Sequence, residues 1–107
     1  MGKTPSDYLD NVALLRIIRE KIQQGKYRIS THAIDRQNKR KIDARDILYV
    51  LKQGVHEESK TGFDVGHQTW NYAIRGKTQD GHELRVIIAF SDEMIVITVI
   101  LLSKRKI

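Results

Sequence analysis

The chain has 107 residues, 40% of them hydrophobic and 30% charged, with no cysteine and a formal net charge of +6. That suffices for a single domain, residues 1–107, around one modest core, and the make-up is globular, not disordered. The absence of thiols excludes disulfides, cysteine nucleophiles and cysteine-ligated zinc, and it fits a reducing, cytoplasmic setting.

Thr4-Pro5 opens a first helix, with a hydroxyl cap and then a proline whose missing N–H costs nothing. Tyr8, Val12, Leu15, Ile18 and Ile22 follow at spacings of three and four. They form one apolar stripe, which Gly25 stops. Residues 27–29 read as a short strand. Ser30 or Thr31 then caps a second helix, poor in apolar residues and reaching to about Lys41. Asp43 caps a third, whose Ile47, Leu48, Val50 and Leu51 face the core and which Gly54 ends.

From Gly54 onward the period changes to two. Residues 55–59 make a weak strand, followed by a polar loop containing Gly62 and Gly66. Residues 69–75 alternate clearly, with Trp70, Tyr72 and Ile74 on one face and Asn71, Ala73 and Arg75 on the other. Gln79-Asp80-Gly81 carries a hairpin turn signal. Residues 84–90 and 95–101 are apolar on nearly every position, which predicts central strands. The fold class is α+β: N-terminal helices covering an antiparallel meander of about four to five strands. The longest apolar run, 94–102, is about nine residues, too short to span a bilayer, so no membrane partner is expected.

The charge is unevenly spread. Residues 26–45 hold seven cations against Asp35 and Asp43, a net +5. Concentrated positive charge points to RNA or another polyanion. Within that segment His32, Arg36 and Arg40 recur every four residues, which stacks them along one helix face with Lys39 and Lys41 beside them. His32 has two readings, a capped imidazole packed on the sheet or a proton-transfer group kept neutral by nearby Arg36. A solvated cationic face is the plain alternative for the whole stripe.

Two strand arginines supply a second cluster. The hairpin makes Arg75 and Arg85 neighbours, and a strand arginine among small or apolar residues needs a partner. Asp64 or Glu93 fits a structural salt bridge; a ligand phosphate, gripped by the planar guanidinium, is the other choice. Thr98 interrupts an apolar strand and could donate a hydrogen bond nearby. Tyr72 could stack on a base or pack in the core, whereas Trp70 is better suited to the core. The four histidines lack metal-site spacing, and no phosphate loop or dinucleotide glycine pattern is present, so neither metal nor cofactor is expected.

Several of these segments together carry a resemblance. A strand ending in Ser30-Thr31-His32-Ala33, then Arg36 and Arg40, Ile42-Asp43-Ala44-Arg45-Asp46-Ile47 and Val50-Leu51-Lys52-Gln53-Gly54 form its first half. Trp70-Asn71-Tyr72-Ala73-Ile74-Arg75-Gly76, Leu84-Arg85-Val86-Ile87 and Ile97-Thr98-Val99-Ile100 form its second. The set resembles the domain-of-unknown-function family 4258 over about residues 27–102, leaving the helix within residues 1–25 as an addition. That family looks like a branch of the RelE-like toxins, related in plan to BrnT and MqsR. The resemblance implies a toxin of a toxin–antitoxin pair, a metal-independent endoribonuclease acting on mRNA. Its partner would be a protein antitoxin, a small DNA-binding protein.

The matching positions are His32, Arg36, Arg40, Arg75, Arg85 and Thr98. On this reading His32 is the general base or acid, and Arg36, Arg75 and Arg85 clamp the phosphate. Arg40, Lys39 and Lys41 steer the strand, Thr98 hydrogen-bonds, and Tyr72 stacks or donates a proton. The alternative is a non-catalytic nucleic-acid- or protein-binding module that uses the same basic face.

Overall fold

The structure, a computed structural model, describes residues 8–40 and 42–103, and of residues 36–40 the backbone alone. Its helices are α1 (Asn11–Gln24), α2 (Thr31–Arg40) and α3 (Ala44–Gln53). Its strands are β1 (Tyr27–Ile29), β2 (Val55–His56), β3 (Gly62–Asp64), β4 (Thr69–Lys77), β5 (Glu83–Phe90) and β6 (Met94–Ser103), with one 3₁₀ turn at Glu58–Lys60. The architecture is α+β, as the patterning implied.

Each helix starts where a side chain satisfies an orphan N–H. Asp10 caps α1, accepting from the Ala13 N–H at 2.9 Å, and Gly25 ends it in the left-handed region at φ +69°. Tyr8 and Leu9 therefore precede the helix, and the Thr4-Pro5 start lies outside the described residues. The buried stripe is Leu14 and Ile18, flanked by Leu15 and Ile22. Val12, expected inside, is 81% exposed. It sits two residues from Leu14, which at 3.6 residues per turn puts it on the opposite face.

Ser30 does two jobs at the start of α2. Its hydroxyl accepts from the Ala33 N–H at 3.1 Å and donates to the Ile97 carbonyl at 2.8 Å, tying the helix to β6. Asp43 and Asp46 form a reciprocal capping box on α3. Gly54 ends α3 at φ −78°, so it was not selected for backbone conformation. Space decides it: a Cβ there would lie 2.6 Å from the Val50 carbonyl oxygen and 2.7 Å from that of Arg75. Gly76 is its counterpart on β4, where a Cβ would come within 3.0 Å of the Gly54 Cα. Helix end and strand meet backbone to backbone.

The sheet runs β1-β6-β5-β4-β2, with β3 also on β4. The antiparallel meander expected from the sequence is only its centre. β1 joins β6 in parallel, pairing Tyr27 with Met94 and Ile29 with Val96. This makes the sheet mixed. The weak strand expected at 55–59 shortens to β2, because the chain breaks into the 3₁₀ turn. Residues 62–64, expected in a loop, return to the same edge of β4 as β3, setting Gly62 against Asn71.

Alternation sends Tyr72 and Ile74 of β4, Leu84, Val86 and Ile88 of β5, and Met94, Val96 and Val99 of β6 to one face. Leu14, Ile18, Ala33, Ile42, Ile47, Val50 and Leu51 cover that face and complete the core. Each such side chain taken out of water contributes about 1.5–3 kcal/mol. Asn71, Ala73, Arg75, Arg85, Ile87, Ala89 and Thr98 alternate to the other face, outside that core. No described helix is long and apolar enough to cross a membrane.

Candidate functional site

The open face carries two features, one at each end of β4. At the first, Arg75 and Arg85 stand directly opposite each other across β4 and β5. Like charges in that position repel, so a carboxylate must lie between them. Glu57 does. Its backbone N–H donates to the Ala73 carbonyl at 2.8 Å just beyond β2, which brings its side chain to the arginines. Arg85 donates to Glu57 through Nε at 2.6 Å and Nη2 at 3.0 Å, a two-pronged grip. Arg75 donates to Glu57 at 3.3 Å and to Glu83 at 2.9 Å.

Glu57 and Arg85 are 14% and 16% exposed, so water screens their attraction poorly. The Arg85 hydrogen bonds, assisted by those of Arg75, hold the Glu57 carboxyl below its usual range. Arg75 does the same to Glu83. Both arginines are pushed up in return, Arg75 chiefly by Glu83 and Arg85 chiefly by Glu57. Two cations and two carboxylates leave the cluster neutral.

The partners expected from sequence, Asp64 and Glu93, are engaged elsewhere. Glu93 binds Arg28 at 2.8 Å, and Asp64 binds His67. Register is the reason, since only Glu57 and Glu83 come level with the arginine pair. Thr98 pairs with Ile87, two residues along from Arg85, and is half-buried on the same face. His32 is exposed at the second residue of α2, a helix that packs beside β6. In strand order Arg85 lies one strand further in than β6, and Arg75 two. The side chains of Arg36, Lys39 and Arg40, and all of Lys41, lie outside the described residues.

Tyr72 is corrected outright as a base-stacking residue. It is 3% exposed on the helix-covered face, and its hydroxyl accepts from the Leu9 N–H at 2.9 Å. Tyr8 and Phe90 pack on its ring, Trp70 packs on Tyr8 and Phe63 on Trp70, an aromatic chain in which Trp70 takes the core role expected of it. His56 belongs there too. It bonds Asn11 at 2.6 Å and Thr61 at 2.9 Å, and burial lowers its pKa.

The second feature is a hollow of about 540 Å³ at the far end of β4. Ala89, Ile95 and Ile97 contribute apolar surface, and Asp64, His67, Gln68, Thr69, Asn71 and Ser91 contribute polar groups. Asp64 orients His67 twice, accepting from its backbone N–H at 3.1 Å and bonding Nδ1 at 2.9 Å. Those bonds hold the Asp64 carboxyl below its usual range. Asn71 Oδ1 is buried and has no hydrogen-bond partner.

Sequence reasoning missed Glu57, Glu83, His67 and Asn71, and it named Asp64 only as a partner for the arginines. The one available signal was the demand of the strand arginines for carboxylates, which pointed to the right residue type and the wrong positions.

A helix-backed sheet with an arginine–carboxylate cluster and an amphipathic hollow on its other face defines a small α+β domain. The chain belongs to the family described as Domain of unknown function (DUF4258), which it matches over residues 29–101. That span takes in α2, α3 and almost the whole sheet, leaving α1 outside. No curated protein and no solved structure matches the chain.

Proposed function

We propose that this chain is a RelE-like toxin-type endoribonuclease that cleaves mRNA without a metal, on the open face of the sheet. The observation that carries the reading is a carboxylate, Glu57, held between two arginines on that face. RNA cleavage of this kind needs three things: a base for the 2′-hydroxyl proton, positive charge for the phosphoryl oxygens, and a proton for the leaving 5′ oxygen. Glu57 takes the first role, displacing His32 as the base. Arg85 and Arg75 take the second, with Thr98 beside them. His32 lies on α2, across the sheet from the arginine pair, so water at the open face supplies the proton for the third.

Glu57 is a weak base while both arginines hold it. A phosphate that draws the guanidinium groups onto its own oxygens removes the bonds that keep the carboxyl acidic, and its proton affinity rises. The base is thereby armed by the substrate. In this reading the cationic 26–45 segment steers RNA to the face from the cytoplasm, and a protein antitoxin silences the chain by covering it.

The neutrality of the cluster favours a second reading. Both arginines already have carboxylate partners, so the network can be a staple that fixes β2 and the 3₁₀ turn to the sheet. The chain is then a non-catalytic binding module acting through α2. One assay separates them. Incubated with RNA and a chelator, the wild-type chain should give products ending in a cyclic phosphate. Glu57→Gln should lower that rate at least ~100-fold. Intact RNA with the wild type, or unchanged cleavage by Glu57→Gln, would falsify the nuclease reading.

A further inference from the structure

Asn71 makes no side-chain hydrogen bond through Oδ1 to any described residue. Its Oδ1 is buried outright, a position that costs stability and that native structures seldom leave unexplained. Gly62, its register partner on β3, has no side chain to cover it, and a Cβ there would meet nothing within 4 Å. The same amide lines the hollow on the open face. An amide oxygen without a partner, beside an apolar floor and a fixed carboxylate–imidazole pair, describes a site for a flat, polar-edged ring.

We infer that this hollow is a nucleoside-binding subsite, which takes the base and ribose of the nucleotide next to the phosphate held at Arg85. The inference rests on the RNA reading above and adds to it where the substrate is gripped. Ala89, Ile95 and Ile97 offer the base a surface for its face. Asn71 offers the base edge a donor through Nδ2. Its χ2 is a broad torsion, and a half-turn about it exchanges Nδ2 for Oδ1, so the amide can meet an acceptor or a donor on the base edge, one at a time. Adenine carries both an acceptor and a donor on its edge, so either setting of the amide finds a partner on it.

Charge sets the polarity of the site. Asp64 is ionised under the influence of His67, so it repels a phosphate and accepts from ribose hydroxyls or an exocyclic amino group. Phosphate belongs at the arginine end instead. Asn71 and Arg75 are four residues apart on β4, about 13 Å at the rise of a strand. A single strand lying along β4 therefore sets a phosphate on the arginines and an adjoining base in the hollow.

The test uses amide NMR of the whole chain, titrated with adenosine and then with a 2′-O-methyl RNA that cannot be cleaved. Adenosine should shift the signals of Asn71, His67 and Ile97 saturably. Asn71→Leu, which keeps the bulk and removes the amide, should weaken that binding about tenfold. Ala89→Leu, which fills the floor, should abolish it, and circular dichroism of both variants will confirm that they fold. The uncleavable RNA should shift both ends of β4.

Glu57→Gln should leave adenosine binding unchanged even as it removes cleavage. Failure of catalysis alone therefore leaves this subsite standing, whereas failure of the hollow alone leaves the nuclease standing. No shift in the hollow with either probe, or equal binding by wild type, Asn71→Leu and Ala89→Leu, overturns the inference.

Discussion

Neighbouring residues of β4 answer to opposite demands. Tyr72 and Ile74 lie sealed beneath the helices, whereas Asn71 and Arg75 stand on the face that the core leaves out. On the covered face the stabilising groups are apolar, closely packed and intolerant of added volume. On the open face polar groups take over. At one end they satisfy each other completely, through Glu57, Glu83 and the two arginines. At the other the oxygen of a half-buried amide has no partner. One strand thus carries a core on one side and, on the other, the two environments from which a ligand site is made. The comparison teaches that neither exposure nor an unmet group alone marks such a site, since Trp70 Nε1 on the covered face also lacks a partner; only Asn71 has a hollow beside it.

The contrast is broken or sharpened first at the two glycines. Gly54→Ala forces a Cβ into two backbone carbonyls that cannot swing away. It should cost about 3 kcal/mol in urea unfolding. Gly62→Ala, on the strand beside the hollow, adds its methyl to empty space and should stay within about 0.5 kcal/mol. Equal losses at both positions would erase the distinction between the faces.

Glu57→Ala should come next, at about 2 kcal/mol by the same measurement, because it strands the well-buried Arg85 guanidinium and leaves Arg75 with Glu83 alone. Arg28→Ala breaks the more exposed pair with Glu93 and should cost no more than about 0.5 kcal/mol. A Glu57→Ala loss no larger than that would show the network to be an ordinary surface ion pair.

The pH dependence follows from the direction of the Glu57 shift. Its folded value lies below that of the unfolded chain, near 4.3, so its contribution is complete above the unfolded value and fades as pH falls through the folded one. The stability gap between wild type and Glu57→Ala should be full at neutral pH and close steadily below about pH 4. A gap that widens on acidification would contradict the assignment. One effect has the opposite sign. Asn71→Leu removes a buried orphan oxygen and should raise stability by about 1 kcal/mol, or Tm by about 4 °C, in a melting scan.

Much of the chain was legible wherever the cause is local. Gly25 and Asp43 act within a turn of their own positions, so the end of α1 and the start of α3 could be read directly. The alternation of residues 69–75 and the apolar runs of β5 and β6 disclosed strands for the same reason. Less local facts were misread. The stripe of α1 turned on where the helix begins, and Asp10, not Thr4, marks that point among the described residues. The Gly54 stop was found for the wrong reason, because only contact with Arg75 and Val50 reveals the lack of room.

By itself the sequence determined the presence of the helices, the strands β1, β4, β5 and β6, the buried side of β4, and the family to which the chain belongs. These depend on periodicity and capping, which act over a few residues. Tertiary structure alone decided that β1 lies parallel to β6 and that β3 returns to β4. It also decided that Glu57, and not Asp64 or Glu93, meets the arginines, and that Asn71 looks onto an open hollow. Those outcomes depend on register between strands distant in the chain, where a slip of one residue turns every side chain to the other face.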